Sequence, residues 1–208
     1  MTGGARDDWR RLERTLATYD EPRVVVASRG SRVVVTAPHA VEHVRGGELK
    51  GPDMWTGGLA LLVAQRSGAG AVVELSRDGD PSWQAHHPFK DAVAALEPAV
   101  VLDLHAMRSK HHVVEIGTGQ PEGAPPTALA RRVRGALEDA GIETVLDHRF
   151  PARGPATLTQ WALHRGMGAV QLEVSVQLVP PFVDARTCDR LVTALVSAVG
   201  YIDSDVEL

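Results

Sequence analysis

The sequence predicts an α/β protein, a three-layer αβα sandwich around a mixed central sheet. Three observations carry this. Short runs rich in β-branched residues recur along the chain, and they are apolar at consecutive positions, as strands covered on both faces require. Stretches of helical periodicity, closed by Gly or Pro, separate most of those runs. The 208 residues are 44% hydrophobic and 23% charged, which is enough apolar material for one core, and a single domain is expected over residues 1–208.

In chain order, "RVVVAS" (23–28) and "SRVVVTA" (31–37) are expected as two strands joined by a tight turn at Arg29-Gly30. "WTGGLALLVAQRSGA" (55–69) reads as a helix ending in Gly, followed by the strand "AVVELS" (71–76). "PFKDAVAALEP" (88–98) has Pro at a helical first position and stops at the next Pro. "AVVLDLHAM" (99–107) and "HHVVEIGT" (111–118) are strands across a short polar loop. Together with the initial hairpin, this pair argues for a mixed sheet. "PTALARRVRGALEDAG" (126–141) is the clearest amphipathic helix. A strand at 142–148, a helix at 157–166 capped by Thr157, a strand at 169–175 and a helix near 184–199 complete the pattern.

Composition narrows the function. The net charge is −4, and no Lys/Arg run stands out, so no nucleic-acid partner is expected. The single cysteine, Cys188, excludes an internal disulfide framework and reads as structural. "MTGGARDDWRRLERTL" is charged and lacks a secretory apolar core, and no stretch is apolar for long enough to span a bilayer. The expectation is a soluble, cytoplasmic protein with no membrane partner; the oligomeric state is open. "GTGQPEG" lacks a phosphate-loop lysine, and no Gly-x-Ser-x-Gly occurs.

Chemistry concentrates where strands end, the place at which open α/β sheets bind ligands. His39 and Glu42 follow the 31–37 strand. Glu74, Ser76, Arg77 and Asp80 follow the next, Asp103, His105 and Arg108 the third, and Glu173 and Ser175 lie on the last. His39-x-x-Glu42 brings an imidazole and a carboxylate to one cation as the chain turns. His105 from a distant strand makes a third ligand and leaves the open position of a catalytic zinc. His43 is the alternative to Glu42. Alternation places Asp103 on the same strand face as His105, where it can orient a ligand. Glu173 sits among Val170, Leu172 and Val174, so burial demands a cation, a donor or a raised pKa. Such a carboxylate suits a general base acting on water.

"TAPHAVEHVR", "VVELSRDGD", "VVLDLHAM" and "AVQLEVS", in that order, resemble the N-formylglutamate amidohydrolase family, related to zinc carboxypeptidases and to the aspartoacylase group. The resemblance covers about residues 33–175. It implies a phosphorylase/hydrolase-like fold and one Zn²⁺ per chain. It also implies metal ligands His39, Glu42 and His105, with Glu173 as the catalytic glutamate. Formylglutamate hydrolases commonly carry "PHSG" where this chain has Pro38-His39-Ala40-Val41, and an Asn-Arg pair that "SRDGDPSWQ" lacks.

The expected activity is zinc-dependent hydrolysis of the amide of a small N-acyl amino acid or peptide-like compound. A zinc peptidase, a poly-glutamate hydrolase and a non-catalytic binding module are the rivals. Arginine forks suit a substrate carboxylate. Of the loop arginines Arg77, Arg108, Arg149 and Arg153, the first two lie closest in sequence to the metal-bearing strands. Substrate contacts are therefore expected from Arg77, Asp80, Arg149 and Trp83. Arg108 is assigned to the developing oxyanion.

Overall fold

The computed structural model describes residues 4–19, 24–27 and 30–206. Its elements are α1 (Ala5–Leu16), β1 (Val24–Ala27), β2 (Val33–Ala37), β3 (His43–Arg45), β4 (Glu48–Lys50), α2 (Thr56–Ser67), β5 (Gly70–Glu74) and α3 (Pro88–Ala94). They continue with β6 (Val100–Met107), β7 (Val113–Gly117), α4 (Ala128–Asp139), β8 (Glu143–Leu146), α5 (Leu158–Leu163), β9 (Gly168–Ser175) and α6 (Ala185–Val206). Among the described residues, seven strands form one sheet in the order β1-β5-β2-β6-β9-β7-β8. β5, β2, β6 and β9 run parallel, while β1 and β7 are antiparallel to their neighbours β5 and β9. No helix among the described residues is long and apolar enough to cross a membrane.

The sheet is mixed, as expected, but neither sequence-adjacent pair produces the mixing. β1 does not form a hairpin with β2. Both edges of β2 are taken by the parallel strands β5 and β6, so β1 adds to the outer edge of β5. Arg29 of the expected turn lies outside the described residues. β6 and β7 are likewise separated, because β9 inserts between them and pairs with β6 from Val100↔Gly168 to Met107↔Ser175. The β3–β4 hairpin was not anticipated from the sequence.

Strand alternation divides the sheet into two unlike faces. Val33 and Val35 of β2, Leu102 and Leu104 of β6, and Val170, Leu172 and Val174 of β9 join the large core shared with α1, α2, α4 and α6. The opposite face carries Val34, Val72, Val101 and Ala169, which pack on Phe89 and Val93 of α3 and on Leu158 and Trp161 of α5. Continuing toward the carboxyl ends of those strands, the same parity turns polar at Thr36, Asp103, His105, Gln171 and Glu173, all buried. Three parallel strands thus deliver their polar groups to one end of one face.

α1 locks the other layer. Trp9, fully buried, donates its indole N–H to Trp55 O at 2.8 Å. Trp55, at the N-terminus of α2, lies in the left-handed region with φ 72° and offers no side-chain cap. The Glu13 carboxylate does that work from α1, accepting the Gly58 N–H at 2.6 Å. A Cβ at Gly58 would stand 2.5 Å from that carboxylate oxygen and 3.1 Å from the Glu13 backbone nitrogen. Gly58→Ala therefore sets a helix-propensity gain of up to about 1 kcal/mol against overpacking of about 1–3 kcal/mol and a displaced cap. We expect a net loss of roughly 1–3 kcal/mol, read as a lowered urea midpoint.

Candidate metal centre and active site

β2 ends at Ala37, and Pro38 leads directly into His39. On β6, His105 lies two residues beyond Asp103, and in the parallel ladder it is paired with Glu173 of β9. Parallel neighbours in register point the same way, so the imidazole and the carboxyl stand side by side. The chain after His39 then makes the excursion of β3 and β4 and returns. The Asp53 N–H donates to His39 O at 2.8 Å, which brings the Asp53 carboxylate to the two imidazoles.

Three ligand atoms converge there. His39 Nδ1 lies 3.1 Å from His105 Nδ1 and 3.2 Å from Asp53 Oδ2, and His105 Nδ1 lies 2.9 Å from the same oxygen. The far side of each ring fixes its tautomer. His39 Nε2 faces Asp80 Oδ1 at 2.8 Å, and His105 Nε2 faces Asp103 Oδ2 at 3.2 Å. Ionised carboxylates only accept, so the Nε2 positions carry the protons. With those protons in place, a cation at the centre would meet both Nδ1 lone pairs and the Asp53 oxygen.

This arrangement demands positive charge. Burial disfavours the charged form of either imidazole, yet Asp53 and Asp80 raise His39, and Asp103 with Asp53 raises His105 well above the ordinary histidine value. Burial pushes Asp53 the other way, and the two imidazoles overcome it, holding its carboxyl well below the usual range. Two imidazoles and a carboxylate, each imidazole backed by a second carboxylate, fit a divalent cation of the zinc type.

Glu42 is not part of this group. Its carboxylate is about half-exposed and lies 3.7 Å from Arg77, on the outer side of the turn after β2. Asp53 stands where Glu42 was expected. Nor does His43 take that place. Its ring stacks on His39 with centroids 4.1 Å apart, and Nε2 is 3.5 Å from Asp80 Oδ2 without a hydrogen bond. His39, His43 and Asp80 form a second trio of ligand atoms. Within it, however, both Asp80 oxygens are engaged, Oδ1 by His39 and the Ser82 N–H and Oδ2 by Arg45 Nε at 2.5 Å.

Beside the cradle opens a cavity of about 680 Å³. Glu173 lines it, with Oε1 accepting from Gln171 Nε2 at 3.0 Å, and burial pushes its carboxyl up to about 7. Of the expected substrate contacts, Trp83 lines the cavity and so does Arg108, which has no polar partner among the described residues. The remaining three do not reach it. Arg77 is largely exposed and faces Glu42. Arg149 is exposed, its guanidinium 5.1 Å from the Phe150 ring. Asp80 is fully buried behind His39 and orients that ring. The cavity's other cations are Arg45 and Arg153.

One wall is the loop between β8 and α5, and it is tied on several sides. Glu115, the cross-strand neighbour of Glu173, accepts the backbone N–H groups of Arg149 and Phe150. Lys90, fully buried, donates its ammonium to Gln84 O at 2.6 Å and to Ala156 O at 2.8 Å. This joins the wall to the loop that carries Trp83. Burial lowers the Lys90 pKa. Asp53, Lys90, Glu115 and Arg45 were not singled out by sequence reasoning, and Arg153 was named among the loop arginines but ranked behind Arg77 and Arg108. Lys90 carries the one usable signal, a lysine between Phe89 and Val93 on the apolar side of a short helix.

No protein-family model matches the sequence, and no curated protein matches it. Solved structures do. A bacteriophage poly-γ-glutamate hydrolase superposes with a TM-score of 0.60 at 14% identity, over 99% of each chain. N-formylglutamate amidohydrolase from Ralstonia eutropha JMP134 gives a TM-score of 0.60 at 13% identity, over 88% of this chain and 98% of that one. This chain shares their α/β fold. A metallo-carboxypeptidase from Burkholderia cenocepacia shares it with a TM-score of 0.52 at 11% identity, over 95% of this chain and 68% of that one.

The geometry separates the two acidic candidates. In zinc titrations against a competing chelator, Asp53→Ala is expected to weaken affinity by 100-fold or more. Glu42→Ala should stay within about threefold of wild type. Asp80→Asn, which removes no ligand atom but loosens the hold on His39, should cost about 10–100-fold.

Proposed function

We propose that this protein is a metal-dependent amidohydrolase that uses zinc to cleave the amide of a small N-acyl amino acid or peptide-like compound. One observation carries the reading. A buried carboxyl group, Glu173, stands in register beside His105 at the edge of a three-ligand cradle that opens into a substrate-sized cavity. Its likeness in fold to amidohydrolases and peptidases supports the same chemistry.

His39, Asp53 and His105 would hold the cation. A zinc ion so bound acidifies a water and polarises a carbonyl oxygen. Glu173 takes the proton from the attacking water onto its carboxylate and returns it to the leaving nitrogen. Gln171, hydrogen-bonded to Glu173, keeps that carboxyl turned into the cavity. Arg108, on the cavity wall and without a polar partner among the described residues, supplies positive charge for the developing oxyanion. Asp80 and Asp103 hold the imidazoles so that their Nδ1 atoms face inward.

Glu173→Gln should retain zinc binding and lose at least 1,000-fold in kcat on N-acyl amino acids. Only the ionised carboxylate accepts a proton, so wild-type kcat/KM should rise with pH and level off above an acidic limb. That limb lies at or below about 7, since burial raises Glu173 and a bound cation lowers it. Full activity in Glu173→Gln would contradict the assignment. Ligand binding that survives both His39→Ala and Glu173→Gln, without turnover in the wild type, would return the protein to the binding-module reading.

A further inference from the structure

We infer that Arg153 is the carboxylate anchor of the cavity, and that its ligand joins a free carboxylate to an apolar side chain, as an N-acylated apolar amino acid or short peptide does. This rests on the amidohydrolase reading for the position of the scissile amide. The anchor itself follows from the cavity.

Three arginines line the cavity, and they are not equivalent. Arg45 is held through Nε by the buried Asp80, whose carboxylate neutralises its charge. Arg108 is exposed and has no polar partner among the described residues to hold its side chain in place. Arg153 is half-buried, and its Nε donates to Gln120 O at 2.7 Å. Its two terminal nitrogens have no partner among the described residues. An arginine pinned at Nε has its fork already oriented, so less entropy is lost when a carboxylate binds the remaining nitrogens.

The backbone that carries Arg153 is fixed as well. Gly119 N–H donates to Pro151 O at 2.9 Å, Gln160 Nε2 reaches Ala152 O at 3.3 Å, and Lys90 holds Ala156 O. Ala152, immediately before the arginine, is kept at φ 55°, a left-handed conformation that a non-glycine residue holds only where its surroundings enforce it. A segment so constrained presents Arg153 in one place.

The ligand's other half is set by the wall around that fork. Phe150, Pro151, Pro155, Ala156 and Met107 are apolar and line the same space. The two carboxylates in the lining, Asp53 and Glu173, belong to the metal cradle and the general base. A cavity of about 680 Å³ falls in the range of about 300–1,000 Å³ that takes ligands larger than a single formylated residue. The loop after β5, where the sequence pointed to Arg77, offers no such anchor, because Arg77 is turned outward to Glu42.

The test uses zinc-loaded Glu173→Gln protein, titrated calorimetrically with N-acetyl-L-phenylalanine, its carboxamide and N-acetyl-L-glutamate. The acid should bind at least tenfold more tightly than the amide and at least as tightly as the glutamate derivative. Adding Arg153→Met should abolish the preference for acid over amide, and Arg153→Lys should restore part of it. Where Arg153→Met fails to fold, Arg153→Lys carries the test: a weakened preference for acid over amide is expected there, and an unchanged one would overturn the inference. Equal affinity for acid and amide, no measurable binding of the acid, or an unchanged preference in folded Arg153→Met would overturn the inference. Turnover by the wild type separates the two claims. Hydrolysis with no carboxylate preference leaves the amidohydrolase standing without its anchor, whereas the predicted binding pattern without hydrolysis does the reverse.

Discussion

Two imidazole lone pairs and a carboxylate oxygen meet within about 3 Å, and the rest of the site is arranged around that concentration of negative potential. Asp80 and Asp103, both fully buried, add further charge behind the rings. Burying such a group uncompensated costs several kcal/mol. Arg45 offsets part of it at Asp80, and the Thr36 hydroxyl satisfies Asp103 at 2.8 Å. At the centre itself no Lys or Arg among the described residues makes a hydrogen bond or ion pair to these three ligand atoms. A divalent cation bound there would resolve the conflict and gain affinity from the carboxylates behind the rings.

The sheet is what makes this concentration possible. A strand alternates its side chains, so one stretch such as "VVLDLHAM" serves the apolar core with Leu102 and Leu104 and the site with Asp103 and His105. Parallel pairing in register then sets His105 beside Glu173 and Asp103 beside Gln171. The polar groups appear only beyond Val34, Val101 and Ala169, where α3 and α5 pack on the same face. Glu115, one strand further out, turns this order into a pocket by holding the amides of Arg149 and Phe150. A single parity rule therefore connects the core, the metal cradle and the cavity wall.

What the sequence makes legible follows from the range of each interaction. Most strands and helices, though not α1 or the β3–β4 hairpin, were visible because their signals are local, and so were His39, His105 and Glu173, which lie on or directly after strongly apolar strands. Strand order was not, because hairpin reasoning pairs sequence neighbours while β5 and β9 insert between them. Asp53 was hidden for a related reason. Asp53 lies 14 positions beyond His39, across the β3–β4 excursion, and only the closure of that loop by the Asp53 N–H on His39 O brings the carboxylate in. Glu42 had the more suggestive spacing, but the turn after β2 swings it outward to Arg77. Arg153 and Lys90 depend on tertiary contacts with Gln120 and with two separate loops, and no pattern along the chain announces these.

The most direct test of the metal centre is the anomalous scattering of zinc-loaded crystals at the zinc absorption edge. The account predicts one strong peak per chain at about 2.0–2.2 Å from His39 Nδ1, His105 Nδ1 and Asp53 Oδ2, with Glu42 outside its coordination. A peak held by Glu42 or His43 in place of Asp53, or no peak after zinc loading, would contradict it.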